Sequence, residues 1–302
     1  EIDFLRSSPY FLPGTESKNA HLLTQLLKRV REHLNARGKQ RGRPIRLAVR
    51  VNESLRSCAL DGYDISNWIK DGLVDIVTLG SGVMDIEVGE LKRLAAKKGV
   101  WVYPCLYGWP SRYSPIPAEL ASGLAVNYHA QGADGIYLFN WFPHTKNNSE
   151  STGPYMAGLL KQLGDSNDLR REQKKLMFAA DRGRPQRAYQ YNWLHCVLPE
   201  ALPTNRKLTV TMRVFAKFQQ QSRLQLQLHV DNLKADDVVT VHLNGKAVEG
   251  WTATAGKRLD SWIKADQLRF GANRLELQLT KQSADSAAPR VVTALELHAT
   301  QQ

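Results

Sequence analysis

The chain has 302 residues, 42% hydrophobic and 23% charged, with 41 Lys and Arg against 29 Asp and Glu for a net charge of +12. This is a globular composition, which excludes collagen-like, low-complexity and disordered classes, and a chain of this length often folds as two domains. No run approaches the ~18 apolar residues of a membrane span, so none is expected.

The charge is local. Residues 19–46 hold eight Lys/Arg against Glu32, and residues 170–187 hold seven against Glu172 and Asp181. These runs read as a solvated helix face and a basic linker. Attraction to an acidic polymer is the alternative. No interleaved aromatics or known module accompany them, so no nucleic-acid partner is expected. Cys58, Cys105 and Cys196 are too few and too scattered for a disulfide framework or zinc site, and are expected as buried thiols.

The first half repeats one unit, an apolar run followed by a helical pattern. A short run, Glu1–Leu5, looks like the end of an earlier strand and leads into a Pro-containing loop, SSPYFLPG. Leu22, Leu23, Leu26, Leu27, Val30 and Leu34 then recur at helical spacing. The next apolar runs are Ile45–Val51, Val74–Leu79, Val100–Leu106 and Asp134–Trp141, starting 29, 26 and 34 residues apart. Helices are expected over Ile65–Asp71, Glu87–Lys98 and Ala118–Gln131. Continuous apolar strands at this spacing indicate a parallel sheet covered by helices.

Four strands and a stub in the first 164 residues fall short of the ~250 residues of an eight-stranded α/β barrel. The expected fold is therefore the C-terminal part of a (β/α)8 barrel, about strands 4–8, with about three βα units upstream. A doubly wound sheet is disfavoured, because Gly80-Ser81-Gly82 is too short for a phosphate-binding loop. From about residue 190 the period changes to two, in Leu208–Phe215, Leu224–Val230, Val238–Leu243, Arg274–Leu279 and Val291–Leu297. With a hairpin signal at Asn244-Gly245, this predicts an antiparallel, jelly-roll-like β-sandwich. The expected organisation is a partial barrel over 1–164, a basic linker over 165–188 and a sandwich over 189–302.

Barrel chemistry sits at the carboxyl ends of strands. That rule selects Glu1, Asp3 and Arg6; Arg50, Asn52 and Glu53; Ser81 and Asp85; Tyr107, Trp109 and Arg112; and Asn140, Trp141 and His144. Two features stand out: the carboxylates Glu1, Asp3 and Glu53, and the aromatic group Tyr107, Trp109, Tyr113, Trp141 and Phe142. Glycosidic cleavage needs two carboxyl groups, one to protonate the leaving oxygen and one to attack or to activate water. Aromatic faces suit sugar rings, and Arg6, Arg50, Asn52, Asn140 and His144 suit hydroxyls. The structural alternatives are a pairing of Glu1 or Asp3 with Arg6 or Arg50, and Glu53 capping a helix or lying in solvent. Trp109 and Trp141 would then pack under a loop. Asp85 and Glu87 favour a helix dipole. No residues have metal-ligand spacing, no G-x-S-x-G elbow exists, and no metal or cofactor is expected.

The opening E-I-D-F-L-R-S-S-P-Y-F resembles the "LDYIRYP" strand end of glycosyl hydrolase-like α/β-barrel proteins. R-L-A-V-R-V followed by D-I-S-N-W-I-K-D-G-L-V-D-I-V is similar to that group's strand, W-x-x-x-G helix and "VD" strand, with Trp68, Gly72, Val74 and Asp75 matching. The resemblance covers roughly residues 1–145. It implies cleavage of O-glycosidic bonds in an oligo- or polysaccharide, with Asp3 as nucleophile or charge stabiliser, Glu53 as acid/base and Arg6 orienting the carboxylate or binding substrate. Glu53 lies two residues past its strand, which makes Glu1 its substitute. The resemblance also implies secretion or a periplasmic location. The tail resembles sandwich modules appended to glycosidases, through V-T-V-H-L-N-G-K-A-V and L-R-F-G-A-N-R-L-E-L. Trp193, Trp251 and Trp262 are expected in its core, with a sugar platform as the alternative. The rival to a hydrolase is a non-catalytic carbohydrate-binding protein on a barrel scaffold.

Overall fold

The computed structural model describes residues 1–6, 8–113, 115–141, 159–164, 174–183, 196–254, 257–284 and 288–301. They fall into two compact units. The first holds Glu1–Pro110 and 131–141; the second holds Ser111–Ala130 and the described residues from 159 onward.

The first unit is a five-stranded parallel sheet in sequence order: β1 Ile2–Asp3, β2 Ala48–Val51, β3 Ile76–Leu79, β4 Trp101–Tyr107 and β5 Tyr137–Phe139. This is half of a barrel-like arrangement. Helix α1, Glu16–Arg41, follows β1; α2, Leu55–Leu60, and α3, Ile65–Lys70, follow β2; α4, Val88–Ala95, follows β3. Helix α1 buries Leu23 and Leu27 but leaves Leu22 and Leu26 exposed. It ends at Gly42, whose left-handed φ of 69° lets the last carbonyls be capped. Ser54, and not Glu53, is the N-cap of α2, accepting from the Ser57 amide at 3.1 Å.

The two faces of the sheet differ, as a period of two requires. Val49, Val51, Val77, Leu79, Val102 and Leu106 alternate along β2, β3 and β4 and are fully buried. Asp3, Arg50, Thr78 and Tyr103 lie in register on the opposite face. The W-x-x-x-G segment is structural: Trp68 is fully buried and donates its indole N–H to Thr24 Oγ1 at 2.8 Å.

One clamp occurs twice. Asp75 accepts from the Leu47 amide at 2.7 Å and from Arg31 of α1 at 2.6 Å. Asp134 accepts from the Val102 amide at 2.8 Å and from Lys92 of α4. In each case an Asp just before one strand fixes the start of the preceding strand and the helix that leads into it.

The second unit contains α5, Ala118–Ala130, and ten strands: β6 Lys175–Ala179, β7 Glu200–Ala201, β8 Leu208–Val214, β9 Arg223–Asp231, β10 Val238–Leu243, β11 Lys246–Ala247, β12 Thr252–Thr254, β13 Arg258–Ile263, β14 Gly271–Lys281 and β15 Val291–Thr300. They form a four-stranded sheet, β11-β10-β14-β8, and a six-stranded one, β12-β13-β9-β15-β6 with β7 beside β15. All pairings between these named strands are antiparallel, and the Asn244-Gly245 turn has both residues at positive φ (54° and 87°), as a tight hairpin needs. The central strands alternate cleanly, with Leu224, Leu226, Leu228, Leu275, Leu277, Leu295 and Leu297 facing the core.

Several expectations are corrected by the structure. Lys175–Ala179, inside the stretch read as a basic linker, is strand β6, paired with β15 from Glu296 to Thr300. Its central run, Leu176-Met177-Phe178, is too short and too close to charges to stand out by periodicity. Helix α5 belongs with the second unit, where it packs on β6. Trp262 is 57% exposed rather than in the core, because it alternates out of phase with Ser261 and Ile263. Trp251 is half-buried, and Trp193 lies outside the described residues. Cys58 and Cys105 are buried free thiols, while Cys196 is only half-buried.

Candidate functional site

The polar face of the parallel sheet brings together Glu1, Asp3, Arg50 and Tyr107 of the residues selected from sequence. Register places Asp3 beside Arg50. The Arg50 side chain is buried and donates Nε to Asp3 Oδ1 at 3.0 Å and Nη2 to Oδ2 at 2.6 Å. Asp3 Oδ1 also accepts from the Leu5 amide at 3.0 Å. The guanidinium carbon stands 3.7 Å from the Phe139 ring centroid, a cation–π contact across the sheet. Burial pushes the Cys105 thiol up to about 12, offset only in part by Arg50 beside it, so this cysteine is no nucleophile at neutral pH.

Glu1 lies two residues before Asp3 and therefore on the same strand face. Its Oε1 accepts from the Tyr137 hydroxyl at 3.0 Å. Burial, then the hydrogen bond and charge of Glu1, push the Tyr137 phenol up to about 12, so it stays a donor. Toward the strand ends, Tyr107 stacks on Phe139 at 5.7 Å and meets Trp109 edge-on at 5.7 Å. The arrangement is two carboxylates fixed by a cation and a phenol, beside an aromatic wall.

The other selected residues have separate fates. Asn52 is fully buried, and its amide nitrogen donates to the Ser57 carbonyl at 3.0 Å and to Asp61 Oδ2 at 2.5 Å. That tie shapes the loop after β2 and turns Asn52 away from ligand duty. Glu53 is 1% exposed, so it does not lie in solvent. Burial raises Asp61 to about 6, with the Asn52 hydrogen bond opposing and Glu16 adding. Arg6 is exposed. Asn140 sits at φ 47°, with its carbonyl against Gly108, where a Cβ would lie 2.4 Å away. Trp141 is half-buried, and His144 and Phe142 lie outside the described residues. Tyr137 and Phe139 were missed; their i, i+2 spacing in DGIYLFNW was the available signal.

Among the described residues no cluster of three or more His, Cys, Asp or Glu side chains is placed to hold a metal, and no helix is long and apolar enough to cross a membrane. A cavity of about 250 Å³ near Ser17, Gly62 and Tyr63 lies among the helices and their loops, away from the acids of the sheet.

No protein-family profile and no curated protein sequence matches this chain. Solved structures share part of its arrangement. A β-porphyranase of glycoside hydrolase family 86 from the human gut bacterium Bacteroides plebeius is 10% identical with a TM-score of 0.30, over 42% of this chain and 20% of that one. An FMN-binding β-glucuronidase from Faecalibacterium prausnitzii is 14% identical with a TM-score of 0.26, over 42% of this chain and 23% of that one. The chitinase ChiW of a Paenibacillus strain is 11% identical with a TM-score of 0.33, over 92% and 37%. The chain thus spans about a fifth of the length of the first of these, which are all carbohydrate-active enzymes.

Proposed function

We propose that the protein is carbohydrate-active and that the polar face of its parallel sheet cleaves O-glycosidic bonds, on a scaffold corresponding to about strands 4–8 of an α/β barrel. The observation that carries this reading is the pair Glu1 and Asp3 on one strand face, each held by its own donor. Arg50 holds Asp3 in one orientation through a two-pronged hydrogen bond, which suits the nucleophile or charge-stabilising role. Glu1, hydrogen-bonded by the neutral Tyr137, takes the acid/base role in place of Glu53, which burial removes from solvent. Tyr107 and Trp109 offer ring faces to a sugar, and Arg6 stands exposed just after β1. Secretion or a periplasmic location accords with such a substrate.

A specific observation favours the non-catalytic reading as the rival: both oxygens of Asp3 already accept hydrogen bonds from Arg50. Release of reducing ends from a panel of soluble polysaccharides separates the two. Hydrolysis is expected to fall at least 100-fold in Asp3→Asn and in Glu1→Gln and to persist in Glu53→Gln. No turnover by the parent chain on any polysaccharide, with binding retained, selects the binding protein.

A further inference from the structure

The amino ends of the parallel strands concentrate charge that the polar face does not use. Residues 37–46, at the end of α1 and in the loop before β2, hold Arg37, Lys39, Arg41, Arg43 and Arg46 and no Asp or Glu. All five are exposed, and none pairs with a carboxylate among the described residues. Register aligns Ala48 of β2 with Ile76 of β3 and Trp101 of β4, so these strands start at one end. Lys97 and Lys98, exposed in the turn before β4, join that end two inter-strand spacings from β2, about 10 Å.

Two acids at this end are already taken, Asp75 by Arg31 and Asp134 by Lys92. A third, Asp71, is matched in charge by its neighbour Lys70. The end of α1 is closed as well. The amides of Gly42 and Arg43 donate to the carbonyls of Lys39 and Gly38 at 3.2 and 3.1 Å, which removes those oxygens from competition with an anion. A cavity of about 320 Å³ lies between Lys39, Arg43 and Pro44. On the β4 side, the Arg46 guanidinium carbon stands 3.9 Å from the centroid of the Trp101 ring, and that indole is 38% exposed. Crowded like charges repel, and an anionic partner relieves the repulsion.

The surroundings narrow the partner. No large apolar side chain of residues 37–46 is exposed, which disfavours a protein hot spot. Arg46 covers Trp101, which disfavours stacking of single-stranded bases. The cations sit at a helix end and in turns before separate strands. They do not line one helix face that could enter a duplex groove, nor one track along a linear polymer. An extended anionic surface meets such a spread of charges at once, and an indole beside cations suits the headgroup layer of a bilayer.

We propose that this end of the parallel sheet docks on an anionic lipid bilayer, with the cations of residues 37–46, Lys97 and Lys98 on headgroup phosphates and Trp101 at headgroup level. Docking by the amino ends turns the carboxyl end of β4, with Tyr107, away from the bilayer. The surface shares no residue with Glu1, Asp3 or Arg50 and stands whether or not those residues cleave anything.

Co-sedimentation of the intact chain with vesicles tests this. In about 50 mM salt, phosphatidylcholine vesicles with about 30% phosphatidylglycerol are expected to bind it at least about 10-fold more tightly than phosphatidylcholine alone, and the difference is expected to collapse in about 300 mM salt. Arg41→Glu/Arg43→Glu and Lys97→Glu/Lys98→Glu are each expected to weaken binding about 10-fold or more. Arg206→Glu/Lys217→Glu makes the same change in net charge on the second unit and is expected to shift affinity less than about 3-fold. All of these side chains are exposed, and a thermal melt of each variant checks folding. The proposal is overturned by no binding to the anionic vesicles, by equal binding to phosphatidylcholine alone, or by binding that survives both substitutions at the strand starts. It is also overturned if the control substitutions on the second unit cost as much, since net charge and not this surface would then be responsible. Tighter binding to heparin or duplex DNA than to the vesicles, at equal salt and equal anion concentration, overturns it by making a polymer the occupant.

Discussion

Arg50 closes a two-pronged hydrogen bond on Asp3, at 3.0 and 2.6 Å, from a side chain that solvent barely reaches. The planar fork of a guanidinium matches a carboxylate in this way, and a lysine would not. The pair joins the edge strand β1 to β2, and through the Phe139 contact it reaches β5. One buried cation thus organises the polar face of the sheet.

Removing that cation leaves Asp3 without its counter-charge and opens a void. Arg50→Met is expected to destabilise the first unit by about 3 kcal/mol, the lower part of the range for breaking a buried pair, since the Asp3 side chain is 30% exposed. Urea unfolding measures this. A change below about 1 kcal/mol would show that the pair contributes little to the fold.

Asp61 gives a pH prediction. Its folded-state value of about 6 is raised above the ordinary carboxylate value of 3.8 by burial. The folded state therefore prefers the protonated acid, so the favourable contribution is complete below about 4 and is lost as pH rises through about 6. Asp61→Asn keeps an acceptor for Asn52 and carries no charge. It is expected to raise stability at pH 7 by on the order of 2 kcal/mol and to flatten the profile between pH 4 and 6. A variant as pH-dependent as the parent in that window would contradict the assignment.

Gly123 marks the closest approach of α5 to β6, because a Cβ there would lie 2.0 Å from the Met177 carbonyl oxygen. Backbone meets backbone, so no side-chain rotation relieves the clash. Gly123→Ala gains helix propensity yet is expected to lower stability by about 2 kcal/mol or more. A thermal melt of the variant that matches or exceeds the parent would exclude this packing.

The repeated clamp predicts parallel losses. Asp75→Ala and Asp134→Ala each remove a strand-start acceptor and a partner for a helix cation. Both carboxylates are partly exposed, so the cost is expected to be about 1–2 kcal/mol each. Hydrogen exchange is expected to rise at the Leu47 amide in the first variant and at the Val102 amide in the second; unchanged protection at both would refute the clamp.

The strands of the parallel sheet were legible because each is an apolar run set by period and punctuation, and the sandwich strands because their period is two. Those signals are local, and the chain alone carries them. Strand β6 escaped because five residues flanked by charge show no period. The W-x-x-x-G segment was legible as a motif, but its work, burying Trp68 against Thr24, was not.

The sequence by itself determined two architectures and a short roster of acids and aromatics near strand ends. Only the tertiary structure decided which of them work together. Arg50, Asn52 and Glu53 lie within four residues and are all buried, yet Asn52 ties to Ser57 and Asp61 while Arg50 spans the sheet to Asp3 and Phe139. Trp262 was expected inside and stands outside. For Trp262 the reason is that a one-residue step along a strand reverses the face a side chain presents; Asn52 and Glu53 lie past the end of β2, where the chain leaves the sheet and turns into α2.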